Sequence, residues 1–117
     1  MFTPEYIKMC QEAKEIQEQY EKYEEEGDRI FMSDGEHVIS EFVPPRNEFI
    51  WLPLQHQLQE MIQEEHLYYK LTAVHRFLVK ETIGLHLKTF EELWLCFVMY
   101  KLYQKKWSGT EWIKESE

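Results

Sequence analysis

Eight apolar residues run without a break from Leu93 to Tyr100, and this stretch limits the fold more than any other. Just before it stands Thr89, followed three residues later by Glu92, the spacing of a capping box in which two orphaned amide donors are satisfied reciprocally. At helical periodicity no single stripe holds the run: Leu93, Phe97 and Tyr100 fall on one side, Leu95, Met99 and Leu102 on another. A helix that is apolar round most of its circumference is buried round most of it. A membrane span needs about 20 such residues, and Lys101, Lys105 and Lys106 close this one too early. The stretch is therefore expected to be the central helix of a globular domain, spanning 89–107.

The remainder of the chain can cover such a helix. The 117 residues are 44% hydrophobic and 15% aromatic, with four Gly and four Pro. That supports one domain over 1–117 with an ordinary core and no long disordered linker. The first ten residues have neither the basic start nor the apolar core of a secretory signal. Cys10 and Cys96 each sit inside a helical pattern and read as buried free thiols, which suits a reducing cytoplasm.

Thr3-Pro4 marks a helix start, Thr3 as N-cap and Pro4 at the first helical position. Tyr6, Met9, Ala13, Ile16, Tyr20 and Tyr23 then recur at alternating spacings of three and four, up to Glu24-Glu25-Glu26 and Gly27. This predicts a helix over 4–26 with a heptad seam. The favoured reading packs the seam on the protein's own core; the competing one is self-association through this N-terminal helix. The period then shortens. Asp28–Met32 and Glu36–Phe42 are β-like runs around Asp34-Gly35, a strong hairpin signal. Glu48–Leu52 supplies a third run, giving a small antiparallel two- or three-stranded meander over 28–52. Pro53 is expected to start a helical segment over 53–82 that bends or breaks near Glu64-Glu65-His66, where the apolar phase slips. After the central helix, Ser108-Gly109 turns the chain and Trp112-Ile113 folds back as an apolar lid. The fold class is α+β, mostly helical.

Chemistry finds little purchase. The five histidines, His37, His56, His66, His75 and His86, never fall at helical metal-ligand spacing, and neither HExxH nor a Cys-His set occurs. No serine has a nucleophile-elbow context. Cys96, inside the most apolar helix, would have its thiol pKa raised, the wrong direction for a nucleophile. With four glycines, neither GxGxxG nor a P-loop can be written. The expectation is a non-enzyme with no catalytic residues, cofactor or metal. A hydrolase or transferase built on the histidines is the weakest of the readings. Trp51, Trp94, Trp107 and Trp112 read as packing residues with their N–H groups near the surface; only Lys105-Lys106-Trp107 hints at base stacking.

Charge is unevenly placed. Residues 1–28 carry nine acids and three bases, 29–66 seven and two, and 67–117 six and eight, within a net charge of −9. The acidic first half repels a phosphate backbone, so no direct nucleic-acid binding is expected; it favours a basic protein partner. Glu24, Glu25 and Glu26 are one candidate interaction surface. Gln55 and Gln59, which share a helix face that excludes Gln57, are the other.

Three segments also carry a resemblance: Ile50-Trp51-Leu52-Pro53-Leu54-Gln55-His56-Gln57-Leu58-Gln59-Glu60-Met61, Glu92-Leu93-Trp94-Leu95-Cys96-Phe97-Val98-Met99, and Trp107-Ser108-Gly109-Thr110-Glu111-Trp112. With the opening Thr3–Cys10 and Ala13–Gln17, they resemble a group of small, uncharacterised phage and prophage proteins of Gram-positive bacteria. Its motifs run roughly W-L-P-x-Q-D-Q-L-Q-x-M, L-W-L-A-F-V-M and W-D-G-x-x-W. This chain departs from them at His56 and Ser108, where the group has Asp, which weakens any carboxylate-based role there. The resemblance implies a phage-type accessory protein in the cytoplasm of a bacterial host and assigns no activity. Two readings follow: an accessory protein acting through protein–protein contacts, and an acidic nucleic-acid mimic that inhibits a host DNA-binding enzyme.

Overall fold

The Thr3 hydroxyl accepts the Tyr6 N–H at 3.0 Å, so the first helix starts where the sequence predicts. The computed structural model describes residues 2–24, 28–32, 37–39, 49–62, 66–81 and 87–114. They form an α+β fold, grouped into two compact units, Met1–Leu54 and Gln55–Glu117. No described helix is long and apolar enough to cross a membrane.

In the first unit the predicted helix over 4–26 is instead three: α1 (Pro4–Glu12), α2 (Lys14–Gln17) and α3 (Tyr20–Tyr23). The first break is at Ala13, whose backbone leaves the helical region at φ −87° and ψ 73°. Length explains it. A straight helix over 4–26 would run about 35 Å, whereas a four-residue strand spans about 13 Å. Breaking the helix keeps the seam over a small sheet, and Tyr6, Met9, Ala13, Ile16 and Tyr20 are all buried within the monomer.

That sheet comprises β1 (Arg29–Met32), β2 (His37–Ile39) and β3 (Phe49–Leu52), all antiparallel, in the order β2-β1-β3. The three strands are those expected, but β3 returns to the free side of β1 instead of continuing beside β2 as a simple meander would. Ile30 pairs with Val38 on one side and Trp51 on the other. The expected Asp34-Gly35 turn lies outside the described residues. α1 packs on β3, and Tyr20 sets its ring edge-on to Phe49 and Trp51, each at 5.4 Å. Deep in this unit the Tyr6 hydroxyl donates to the Pro53 carbonyl at 2.6 Å.

Gln17 closes the outer edge of β3. Its Oε1 accepts the Trp51 N–H and its Nε2 donates to the Trp51 carbonyl, both at 2.9 Å. The same Nε2 donates to the Cys10 carbonyl at 3.1 Å, tying the end of α1 to the strand. The Trp51 indole does not follow expectation: its Nε1 is buried and meets no acceptor among the described residues.

In the second unit α4 (Gln55–Met61) begins two residues after Pro53, so the proline precedes the helix and does not open it. The helical segment expected over 53–82 is two helices, with α5 at Leu67–Glu81; residues 63–65, at the predicted break, lie outside the described set. α6 (Phe90–Tyr103) packs against both. Trp94 to Met99 are all buried, as a helix without a polar face requires. Phe77 of α5 meets Phe97 at 5.5 Å and Tyr100 at 5.3 Å.

Two details of the central helix differ from prediction. Thr89 caps it, its hydroxyl accepting the Glu92 N–H at 3.1 Å. The return arm, however, reaches one residue further back: Glu92 Oε1 accepts the N–H of Lys88, also at 3.1 Å. The helix also stops short of Trp107. Gln104 takes the left-handed conformation (φ 55°, ψ 42°) and its N–H returns to the carbonyls of Met99 and Tyr100, an αL stop that satisfies two terminal acceptors. Lys105–Trp107 is then strand β4, paired with β5 (Trp112–Lys114). Trp107 and Trp112 meet at 5.1 Å across this hairpin. Trp107 is buried, whereas Ile113 is 51% exposed and forms no lid.

Candidate interaction surface

The sequence offers two contact surfaces, and the structure treats them differently. Glu24 is exposed just after α3, while Glu25 and Glu26 lie outside the described residues. The exposed acids of this part of the chain include Glu5, Glu12, Glu18 and Glu21. Gln55 and Gln59 are half-buried on α4, and the Gln59 carbonyl accepts the Lys70 ammonium at 3.0 Å, fastening α4 to α5. Gln57, which the sequence sets apart from that face, is completely buried. Thus α4 offers less free amide surface than its composition suggests.

The thiols are similarly occupied with packing. Cys10 and Cys96 are both buried thiols. Burial pushes the Cys10 thiol far above its ordinary value, and a hydrogen bond with Tyr6 offsets only part of that rise. A thiol so held is a core residue and not a nucleophile. Of the histidines, His56, His66 and His75 are exposed on the surface. No group of three or more metal-ligating side chains occurs among the described residues.

What sequence reading missed is apolar. The C-terminal part of α5 and the first turn of α6 enclose an open groove of about 250 Å³, lined by Leu78, Leu87, Lys88, Thr89, Phe90 and Leu93. Phe90, the first residue of α6, is 66% exposed; Leu78 is 42% exposed and the adjacent Val79 57%. Leu71, also exposed, lies two turns before Leu78 on the same side of α5. Single exposed apolar residues are ordinary, but a cluster around a concavity marks a contact site. One signal was in the sequence. Phe90 sits beside a helix cap, where a residue has little choice but to face outward, yet it carries a large apolar ring.

Neither a protein-family model, nor a curated protein, nor a solved structure matches the chain.

Proposed function

We propose that this chain is a non-enzymatic accessory protein of the phage or prophage type, acting by protein–protein contact in the cytoplasm of a bacterial host. The observation that carries this reading is the apolar groove with exposed Phe90, Leu78 and Val79 beside it. Leaving a large apolar side chain in water forgoes roughly 1.5–3 kcal/mol of burial, and a partner that covers this cluster recovers that energy. The resemblance of the Ile50–Met61, Glu92–Met99 and Trp107–Trp112 segments to phage proteins supplies the biological setting.

Co-purification from Gram-positive cells expressing the tagged chain tests the reading. A stoichiometric partner protein is expected with the wild type and should be lost with Phe90→Glu plus Leu78→Glu. A set of co-purifying proteins unaffected by those changes overturns it. Neutralising Glu24, Glu25 and Glu26 to Gln in parallel asks whether the acidic surface takes part; an unchanged set removes it from the account.

A second reading, the acidic nucleic-acid mimic, draws on one observation. Residues 1–54 carry thirteen acids against five bases, and Glu5, Glu12, Glu18, Glu21 and Glu24 are exposed. It requires displacement of DNA from a basic host protein. Failure of the purified chain to displace DNA from every co-purified DNA-binding protein removes it.

A further inference from the structure

We infer that a second copy of this chain covers the outer face of α5, the two helices packing antiparallel about a two-fold axis at His75. This goes beyond the protein-contact reading above and does not rest on it. The helix has two faces. Val74 and Phe77 are buried, and Phe77 meets Phe97 and Tyr100 of α6. Leu71, His75, Leu78 and Val79 are exposed, and Thr72 is half-buried. At about 100° per residue, the other four lie within about 60° of His75. The charged positions of the helix, Lys70, Arg76, Lys80 and Glu81, fall about 100° or more from it. The chain is 30% charged, so an exposed stripe of this width without a formal charge marks a contact face.

The pattern of the stripe selects its occupant. Leu71, His75 and Leu78 recur at spacings of four and three, the d, a and d positions of a heptad, with Thr72 and Val79 beside them. Antiparallel pairing about His75 sets residues equally far before and after it against one another. Leu71 meets the second copy's Val79, and Thr72 meets its Leu78, so methyl groups face methyl groups throughout. The imidazoles meet each other on the axis. A slipped register would set imidazole against leucine, which is how a single polar residue at an a position fixes pairing. One patch that serves both partners is what a closed two-fold dimer needs; a foreign helix would impose no such match.

Charge and burial leave this face as the place for self-association. Two chains of net charge −9 repel least where they are least acidic, and α5 carries three bases and one acid. The heptad seam of the N-terminal helices is already covered, with Tyr6, Met9, Ala13, Ile16 and Tyr20 all buried. Size sets the strength. The fifteen residues of α5 give a contact strip about 22 Å long. A strip of that length falls short of the roughly 1,200–2,000 Å² of a stable interface, so the dimer is weak, with a Kd of about 10–100 μM.

Sedimentation velocity on the full-length chain from about 5 to about 500 μM tests the inference. The wild type should pass from monomer to dimer and stop there. Added salt should tighten the dimer, because the contact is apolar and the two chains repel. Leu71→Glu and Val79→Lys, both at exposed positions, should each weaken association roughly tenfold by placing an unpaired charge in the contact. The double variant should recover it, since the new charges then face each other across the axis. Circular dichroism checks the fold of each variant. Phe90→Glu should leave the dimer intact. A wild type that stays monomeric, an association that weakens with salt, or a double variant no better than either single one overturns the inference. The two readings fail separately. A monomeric chain with a Phe90-dependent cellular partner defeats the dimer alone, whereas an intact dimer without such a partner defeats the protein-contact reading alone.

Discussion

The Gln17 side-chain amide meets the Trp51 backbone as a neighbouring strand would, accepting its N–H and donating to its carbonyl at 2.9 Å each. A single residue of α2 thereby takes the place of a strand beside β3. Gln17→Ala should cost about 2–3 kcal/mol in urea unfolding, because two part-buried backbone groups lose their partners. Gln17→Glu keeps the acceptor for the N–H but sets a carboxylate against the carbonyl. Its native pKa should therefore lie above the unfolded value of about 4.3. The sign follows: the protonated form is the stable one, so the variant regains stability as pH falls through its raised native pKa and on towards the unfolded value. A loss that does not change between pH 7 and pH 4 would show that the amide acts only by filling space.

Burial holds the Cys10 thiol protonated well above its ordinary value of 9.0. Below pH 9.0 both states carry the proton and the thiol adds no pH dependence. Above it the unfolded thiol ionises while the native one does not, so stability falls as pH rises. The slope is at most about 1.4 kcal/mol per pH unit. Denaturant melts of wild type and Cys10→Ala at pH 8 and pH 10 should differ by that slope, with the alanine variant the flatter.

The two threonine caps act in separate units, Thr3 on α1 and Thr89 on α6. Replacing either with Ala should cost about 1 kcal/mol. The double variant should lose close to the sum, since sites in different compact units that share no hydrogen-bond partner add. A shortfall beyond about 0.5 kcal/mol would reveal coupling between the two helix starts.

Gln104 is the one non-glycine residue with positive φ among the described residues. Its side-chain bond to the Lys101 carbonyl is exposed and 3.3 Å long, a weak return for left-handed backbone. Gln104→Gly should raise the melting temperature, corresponding to a gain of about 0.5–1 kcal/mol after the added chain entropy of the unfolded state. A lower melting temperature would mean that the side-chain bond outweighs the backbone.

Local signals in the sequence carried far and tertiary ones did not. Thr3-Pro4 and Thr89 announce helix starts because a cap is decided within four residues. The Leu93–Tyr100 run announces burial because nothing polar interrupts it. The strand count was likewise readable, while the choice of β1 over β2 as the partner of β3 depends on packing across the sheet. Gln17 and Gln57 read as ordinary polar helix positions; only a folded neighbour turns one into an edge cap and buries the other. The groove was hidden for a related reason. Leu71, Leu78 and Phe90 count as core candidates in any hydrophobic pattern, and their exposure follows from where α5 and α6 meet. Glu24 and its neighbours could be named from charge alone, which marks solvent exposure but not a partner.

Between the last residue of α6, Tyr103, and the first of β4, Lys105, stands Gln104 alone. A connection of one residue has no slack, so this is where the chain should tolerate no change in length. One inserted residue would advance the strand by a single position and turn each side chain to the opposite face. Trp107, buried against Trp112, would yield its place to Lys106. Length variation between versions of this protein, natural or engineered, should therefore fall elsewhere and spare the helix-to-hairpin joint.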